Sequence, residues 1–230
     1  VSRDLVLARV SAALAGAPVP ELPRVRIAVD APLAGDGPSQ GAGAAGLLAG
    51  FVREARAVGT VVYAASDADE AADLLARIMG DAPCRAIAWP TPLARAVALA
   101  ACRRAPACTL TVVDGATPAA LVAEADLGVT EADALVATSG TLVLAARGRH
   151  RGVSLLPPVH VAIVPVERLV ADLASALRRV RAGAAPAESC ITLVTGPSRT
   201  GDIEKKLVVG VHGPCALHVI LLGAAARDVA

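Results

Sequence analysis

The chain has almost no aromatic side chains. Phe51, Tyr63 and Trp89 are the only ones in 230 residues. Stacking nucleobases or a flavin ring takes a platform of several such rings, so neither is expected as a ligand. Lysine is nearly missing as well: Lys205 and Lys206 stand alone, and arginine supplies the other basic charge. With the abundance of alanine this reads as a coding bias, so an arginine is not by itself a functional signal. Excess charge of either sign is lacking too. The net charge is +1, which gives no bulk attraction to nucleic acid or to an acidic membrane.

Cysteine motifs are also lacking. Cys84, Cys102, Cys108, Cys190 and Cys215 include no C-x-x-C pair. Neither a zinc ribbon nor an Fe–S cluster is spelled by that spacing. An odd number of thiols fits a reducing compartment. No two histidines have H-x-x-x-H spacing, so no metal site is expected. The residues thus predict no cofactor held by this chain.

Membrane signals are weak. In "VSRDLVLARVSAALAGAP", Asp4 and Arg9 interrupt the apolar stretch, which argues against a signal peptide. The longest uncharged run, Leu207 to Ala226, contains His212, Pro214, His218 and several glycines. It reads as a turn followed by a buried strand, not a spanning helix. A cytoplasmic protein without a membrane span is expected.

What remains is apolar and ordered in pattern. Hydrophobic residues make up 55% of the chain, ample for a large core in one α/β domain. Residues 1–40 read as an N-terminal amphipathic helix followed by a Pro/Gly-rich linker, and residues 41–230 as the α/β domain. A helix is expected over about 44–58. Three strand–helix units follow, with strands at 60–65, 84–89 and 109–114. Asp67 with Glu70 suggests a capping box; Thr91-Pro92 and Thr117-Pro118 each suggest an N-cap with proline at the first helical position. Such alternation predicts a mixed, mostly parallel sheet flanked by helices. Ligands in these sheets gather where strands end and helices begin.

Beyond Asp126 the chain is richer in glycine and β-prone residues. Residues 146–152, "ARGRHRG", read as a solvated, charged hairpin tip. Residues 159–164 read as a buried strand, and His160 within it has no evident role. A helix is expected from Glu167 to Arg181, then strands at 190–195 and 215–222.

Polar residues concentrate in "TGPSRTGDIEKKLVVGVHGP". The order strand, knot, helix would expose backbone N–H groups to an anion. Gly196 and Gly201 have the spacing of a phosphate-binding P-loop. Asp202, however, occupies the place of its lysine, and a carboxylate there repels phosphate. Arg199 is suited to a carboxylate or phosphate by a two-pronged contact. Ser198 and Thr200 either face a ligand or satisfy the turn itself. Asp202 or Thr200 either caps the helix or faces the ligand, and Asp202 is also placed to orient Arg199 or His212. His212, next to Gly213, is either a proton carrier or a turn residue. Ser139, Gly140 and Thr141 form a tight turn that would complete the wall. Gly196, Ser198, Arg199, Thr200, Asp202, His212, Gly213, Ser139, Gly140 and Thr141 are therefore the candidate ligand-binding residues; no catalytic residue is assigned.

Three blocks, "GVTEADALVATSGTLVL", "RGVSLLPPVHVAIVP" and "TLVTGPSRTGDIEKKLVVGVHGPCALHVILL", closely resemble the signature of the lactate-utilisation protein C family, the LUD domain. The likeness covers roughly Asp126 to Leu222. Gly201 stands where many relatives carry alanine. The resemblance implies a fold like the sugar-phosphate isomerase and CoA-transferase group. It also implies a part in oxidising L-lactate to pyruvate beside partner subunits that carry Fe–S clusters. Two other functions stay open: an independent enzyme acting on a phosphate or CoA ester, and a non-catalytic assembly protein. A homo-oligomer is compatible with all three.

Overall fold

The structure, a computed structural model, describes residues 3–15, 43–182, 190–200, 208–223 and 226. The chain divides into two compact units, Val1–Leu33 and Ala34–Ala230. In the first, α1 spans Arg3–Leu14. Its apolar residues Leu5, Val6 and Leu7 are consecutive and each about half exposed. Successive helix positions fan round the axis, so α1 has no single apolar face. The expectation of an amphipathic helix is corrected accordingly.

In the second unit, α2 (Ala44–Ala57) leads into β1 (Val61–Ala65), α3 (Ala68–Met79), β2 (Cys84–Ala88), α4 (Pro92–Arg104), β3 (Cys108–Val112) and a short α5 (Ala119–Ala123). Then come β4 (Leu127–Glu131), β5 (Ala134–Val136), β6 (Thr141–Ala145), β7 (Val159–Pro165), β8 (Leu169–Val170) and α6 (Leu173–Ala182). The described strands end with β9 (Ile191–Val194), β10 (Arg199–Thr200), β11 (Val208–Val209) and β12 (Ala216–Leu222).

Caps explain where the early helices begin. Asp67 accepts hydrogen bonds from the N–H groups of Asp69 and Glu70. Glu70 reaches back to Ser66, accepting from both its N–H and its hydroxyl, so the box closes one residue earlier than its usual form. Pro92 starts α4 as expected, but Thr91 makes no side-chain cap. Thr117 binds Asp114 instead of capping α5.

The molecule is α/β. Six strands form one sheet in the order β1-β12-β7-β4-β2-β3, and every pairing in it is parallel. The mixed pairing expected from the sequence sits in a separate sheet, β8-β5-β6-β9. The chain changes sheets at Ala132 and Asp133. The Ala132 N–H donates to Ile163 in the first sheet, and the next N–H, of Asp133, donates to Val143 in the second. One sheet thus becomes two within a single residue step.

Side-chain alternation along β7 and β12 divides the core. Ala162, Val164, Leu217, Val219 and Leu221 face the second sheet and pack with Leu135, Leu142 and Phe51. Val161, Ile163 and Ile220 face α3 and α4, meeting Leu75, Met79 and Val97. Each large side chain buried this way contributes roughly 1.5–3 kcal/mol. Ala176 and Val180 of α6 cover the far side of the second sheet.

Two other expectations are corrected. Between Glu167 and Arg181 the chain forms a 3-10 turn at Val166–Arg168 and then β8 before α6 begins. Residues 146–152 are solvated only in part: Arg147, Gly148 and Arg151 are exposed, while Ala146 and Gly152 are buried. The Arg149 guanidinium lies 4.1 Å above the Trp89 ring, and its side chain, 10% exposed, pairs with Asp133.

Candidate functional site

A cavity of about 340 Å³ opens between the amino-terminal ends of β7 and β12 and strand β9. Its position is itself a departure from expectation, since ligands in parallel sheets favour the carboxyl-terminal edge. Thr192 to Thr195 form one wall. The turn Gly196 to Arg199 and the segment His212 to Pro214 form another. Ser154 and Leu155, in and just after the 3-10 turn Arg151–Ser154, close a third side. His160 and Leu217, neighbours across β7 and β12, lie at the floor.

A glycine positions the third side. Gly128 of β4 lies beneath the 3-10 turn, where a Cβ would overlap the Val153 carbonyl oxygen. The missing side chain lets Val153 and Ser154 lie directly on the sheet beside His160.

The polar knot and the "GVHGP" segment are held together by backbone. The Ser198 N–H donates to the Pro214 carbonyl at 2.9 Å, and the Ser198 carbonyl accepts from the Gly210 N–H at 2.9 Å. Arg199 and Thr200 continue as β10 against Val209 and Val208 of β11. The expected direct strand-to-helix turn is therefore corrected: the backbone groups at 198–200 already have partners in a ribbon. The helix expected to follow, and Asp202 with it, fall outside the described residues.

The knot also rests on the end of α2. Gly196 has φ +83°, and a Cβ there would stand 2.8 Å from the Val58 carbonyl oxygen. Arg199 Nη2 donates to that same oxygen at 2.6 Å. A cation at a helix C-terminus satisfies a carbonyl that has no partner within the helix. Arg199 therefore has a structural bond as well as a place among the residues lining the cavity.

The residues proposed from sequence separate into groups. Gly196, Ser198, Arg199, His212 and Gly213 surround the cavity. Ser139, Gly140, Thr141 and Thr200 do not line it. Gly140, φ +62°, is instead pressed against the backbone of α2 at Ala55. Thr141 connects indirectly: its hydroxyl lies 2.7 Å from that of Ser139 and 2.8 Å from that of Thr195, which is in the wall.

His160 was missed as a site residue. It is fully buried, and its Nε2 lies 2.8 Å from Thr130 Oγ1. Among the described residues its Nδ1 has no hydrogen-bond partner. Burial, with a smaller contribution from His218, lowers its pKa to about 3, so the ring is neutral near pH 7. The available signal was one polar residue within the apolar run "VHVAIV". Ser154, Thr192 and Thr195 carried no sequence signal, because two segments distant in sequence, the 3-10 turn and β9 with the residue after it, bring them together.

On the opposite face of the sheet, Tyr63 and His218 stack with centroids 5.8 Å apart. Tyr63 Oη lies 3.2 Å from His218 Nδ1. Among the described residues, no group of three His, Cys, Asp or Glu side chains is placed to hold a metal ion. No described helix is long and apolar enough to cross a membrane.

Comparison with known proteins gives this arrangement a family. Lactate utilization protein C of Halalkalibacterium halodurans is 47% identical over 95 residues, covering 40% of this chain and 41% of that one. The protein of the same name from Macrococcus caseolyticus is 45% identical over 104 residues, 44% of this chain and 45% of that one. Each match thus spans less than half of the relative's length. A crystal structure of a DUF162 family protein from Deinococcus radiodurans superposes with a TM-score of 0.59 at 23% identity, over 79% of this chain and 99% of that one; the likeness is one of fold. The LUD domain matches residues 48–222, a span that takes in both sheets and the whole cavity. The chain belongs to the LUD domain family.

Proposed function

We propose that this protein is a component of an L-lactate utilisation system and binds a small anionic ligand in the cavity between β7, β12 and β9. The observation that carries the ligand reading is the joining of Ser198 to Pro214, which sets the knot and "GVHGP" around one cavity. The lactate part rests on family membership and on the name shared by the curated relatives.

The mouth suits an anion of modest size. His212 is exposed there, Ser198 supplies a hydroxyl, and Arg199 keeps N–H groups beyond the one bound to Val58. The cavity volume is near the lower end for small-molecule sites, so a short acid fits better than a nucleotide. Electrons from lactate oxidation pass, in this reading, to Fe–S clusters on partner subunits.

The test has two arms. Cells lacking the gene should fail to grow on L-lactate, and the wild-type gene should restore growth while a Ser198→Trp variant, which fills the cavity, should not. The purified protein should show raised thermal stability with short carboxylic acids but not with sugar phosphates or CoA. Normal growth on L-lactate without the gene would refute the system assignment. Stabilisation by CoA or a sugar phosphate alone would favour an independent enzyme.

A further inference from the structure

His160, one of the residues lining the cavity, carries a buried polar atom without a partner among the described residues. His160 is 0% exposed, and its Nδ1 lacks a partner among the described residues. Apart from Thr130, its neighbours on the same face of the sheet, Gly128, Ala162 and Leu217, offer no polar side chain. A buried polar atom without a partner is costly, and its persistence calls for a reason.

The Thr130 contact gives that atom a direction. Thr130 Oγ1 is paired with His160 Nε2. A hydroxyl hydrogen needs an acceptor, and Nε2 provides one. The tautomer that satisfies Thr130 carries its proton on Nδ1, making that atom a neutral donor. A carboxylate drawn down to an apolar floor would lose its hydration, at large cost. An uncharged oxygen would not, and it accepts from an N–H just as readily.

We propose that His160 is a ligand-contacting residue whose Nδ1–H donates to an uncharged hydroxyl or carbonyl oxygen of the bound acid, while the carboxylate stays at the mouth near Ser198 and His212. The cavity then selects short acids that carry a second, uncharged oxygen. This inference rests on the small-anion reading of the same cavity.

The test compares acids of equal carbon number. L-Lactate and pyruvate each have an uncharged oxygen beside the carboxylate; propionate has none. In calorimetric titrations the wild-type protein should bind lactate or pyruvate at least about tenfold more tightly than propionate, the factor expected for one hydrogen bond. His160→Leu should erase that difference while keeping the weak propionate-like affinity. The same variant leaves the buried Thr130 hydroxyl without its acceptor and so should lose some stability whatever the role of His160; the discrimination between acids is the deciding readout. A purely structural histidine would give lost stability with the discrimination intact, and that result overturns the proposal. If His160→Leu does not fold, the wild-type imidazole nitrogen resonances decide: Nδ1 must shift when pyruvate is added. Equal binding of all three acids, or an unmoved Nδ1 resonance in the presence of bound acid, overturns the role of His160 and leaves the cavity as a binding site. Failure of every acid to bind overturns both.

Discussion

Arg199 Nη2 donates to the carbonyl of Val58, 2.6 Å away, and so ties the polar knot to the residue that caps α2. The tie crosses 141 positions in sequence. It makes the most conspicuous arginine of the knot a fastener of the site wall as well as a cation at its mouth. Arg199→Ala should therefore cost about 1 kcal/mol of stability, as expected for a partly solvated hydrogen bond from a charged donor. Arg199→Lys should recover part of it, since an ammonium can still meet a helix-terminal carbonyl. Urea denaturation midpoints of the three proteins check this; identical midpoints would remove the fastening role.

Gly128→Ala should damage the cavity without touching any residue that lines it. The added methyl group meets the Val153 backbone, which cannot rotate aside as a side chain would. Overpacking of this kind costs about 3 kcal/mol. Ligand affinity should fall with stability, because Ser154 and Leu155 move off the sheet together. Thermal unfolding followed by ligand titration reads both effects.

Asp133→Ala should destabilise more than a surface change would. Its carboxylate accepts from the Ala145 N–H and pairs with Arg149, which itself covers Trp89. Removing the acid leaves a largely buried guanidinium unpaired, a loss of about 3 kcal/mol. Asp133→Asn should lose less, because its amide oxygen still accepts from Ala145. Trp89 fluorescence, arising from the only indole in the chain, gives the unfolding curve directly.

Stability should fall on acidification below about pH 6.5, the ordinary histidine value. Burial lowers the pKa of His160 to about 3, and it lowers that of His218 as well. Between about 3 and 6.5 the unfolded chain protonates its histidines while the folded His160 stays neutral. The unfolded state then binds more protons, so stability is full above this window and is lost as the pH drops through it. For His160 alone the slope is about 1.4 kcal/mol per pH unit. The difference between wild type and His160→Leu, measured by urea denaturation at several pH values, isolates that contribution. Parallel pH profiles would contradict it.

The α/β class was legible because local rules suffice for it. β1, β2 and β3 are short apolar runs each followed by a helix start, and Asp67 and Pro92 mark two of those starts within a residue. The region from 166 to 172 was not legible. Its composition suits a helix, yet Leu169 and Val170 pair with Leu135 and Val136, and that partner strand is far away in sequence. Likewise Arg149 looks like a solvated charge until Trp89 and Asp133 are seen to enclose it.

The sequence by itself determined the alternation of strands and helices, the concentration of polar residues at 195–214 and the family. These depend on neighbours a few positions apart, where periodicity, turn chemistry and motif spacing act. Only the tertiary structure decided that the chain splits its strands between two sheets at Asp133. The fold also set the knot on the end of α2 and placed His160 beneath it. Those outcomes depend on strand pairing and on the close approach of backbone at Gly128, Gly140 and Gly196. No local pattern encodes them, because the groups that meet are separated by scores of residues and come together only when the core packs.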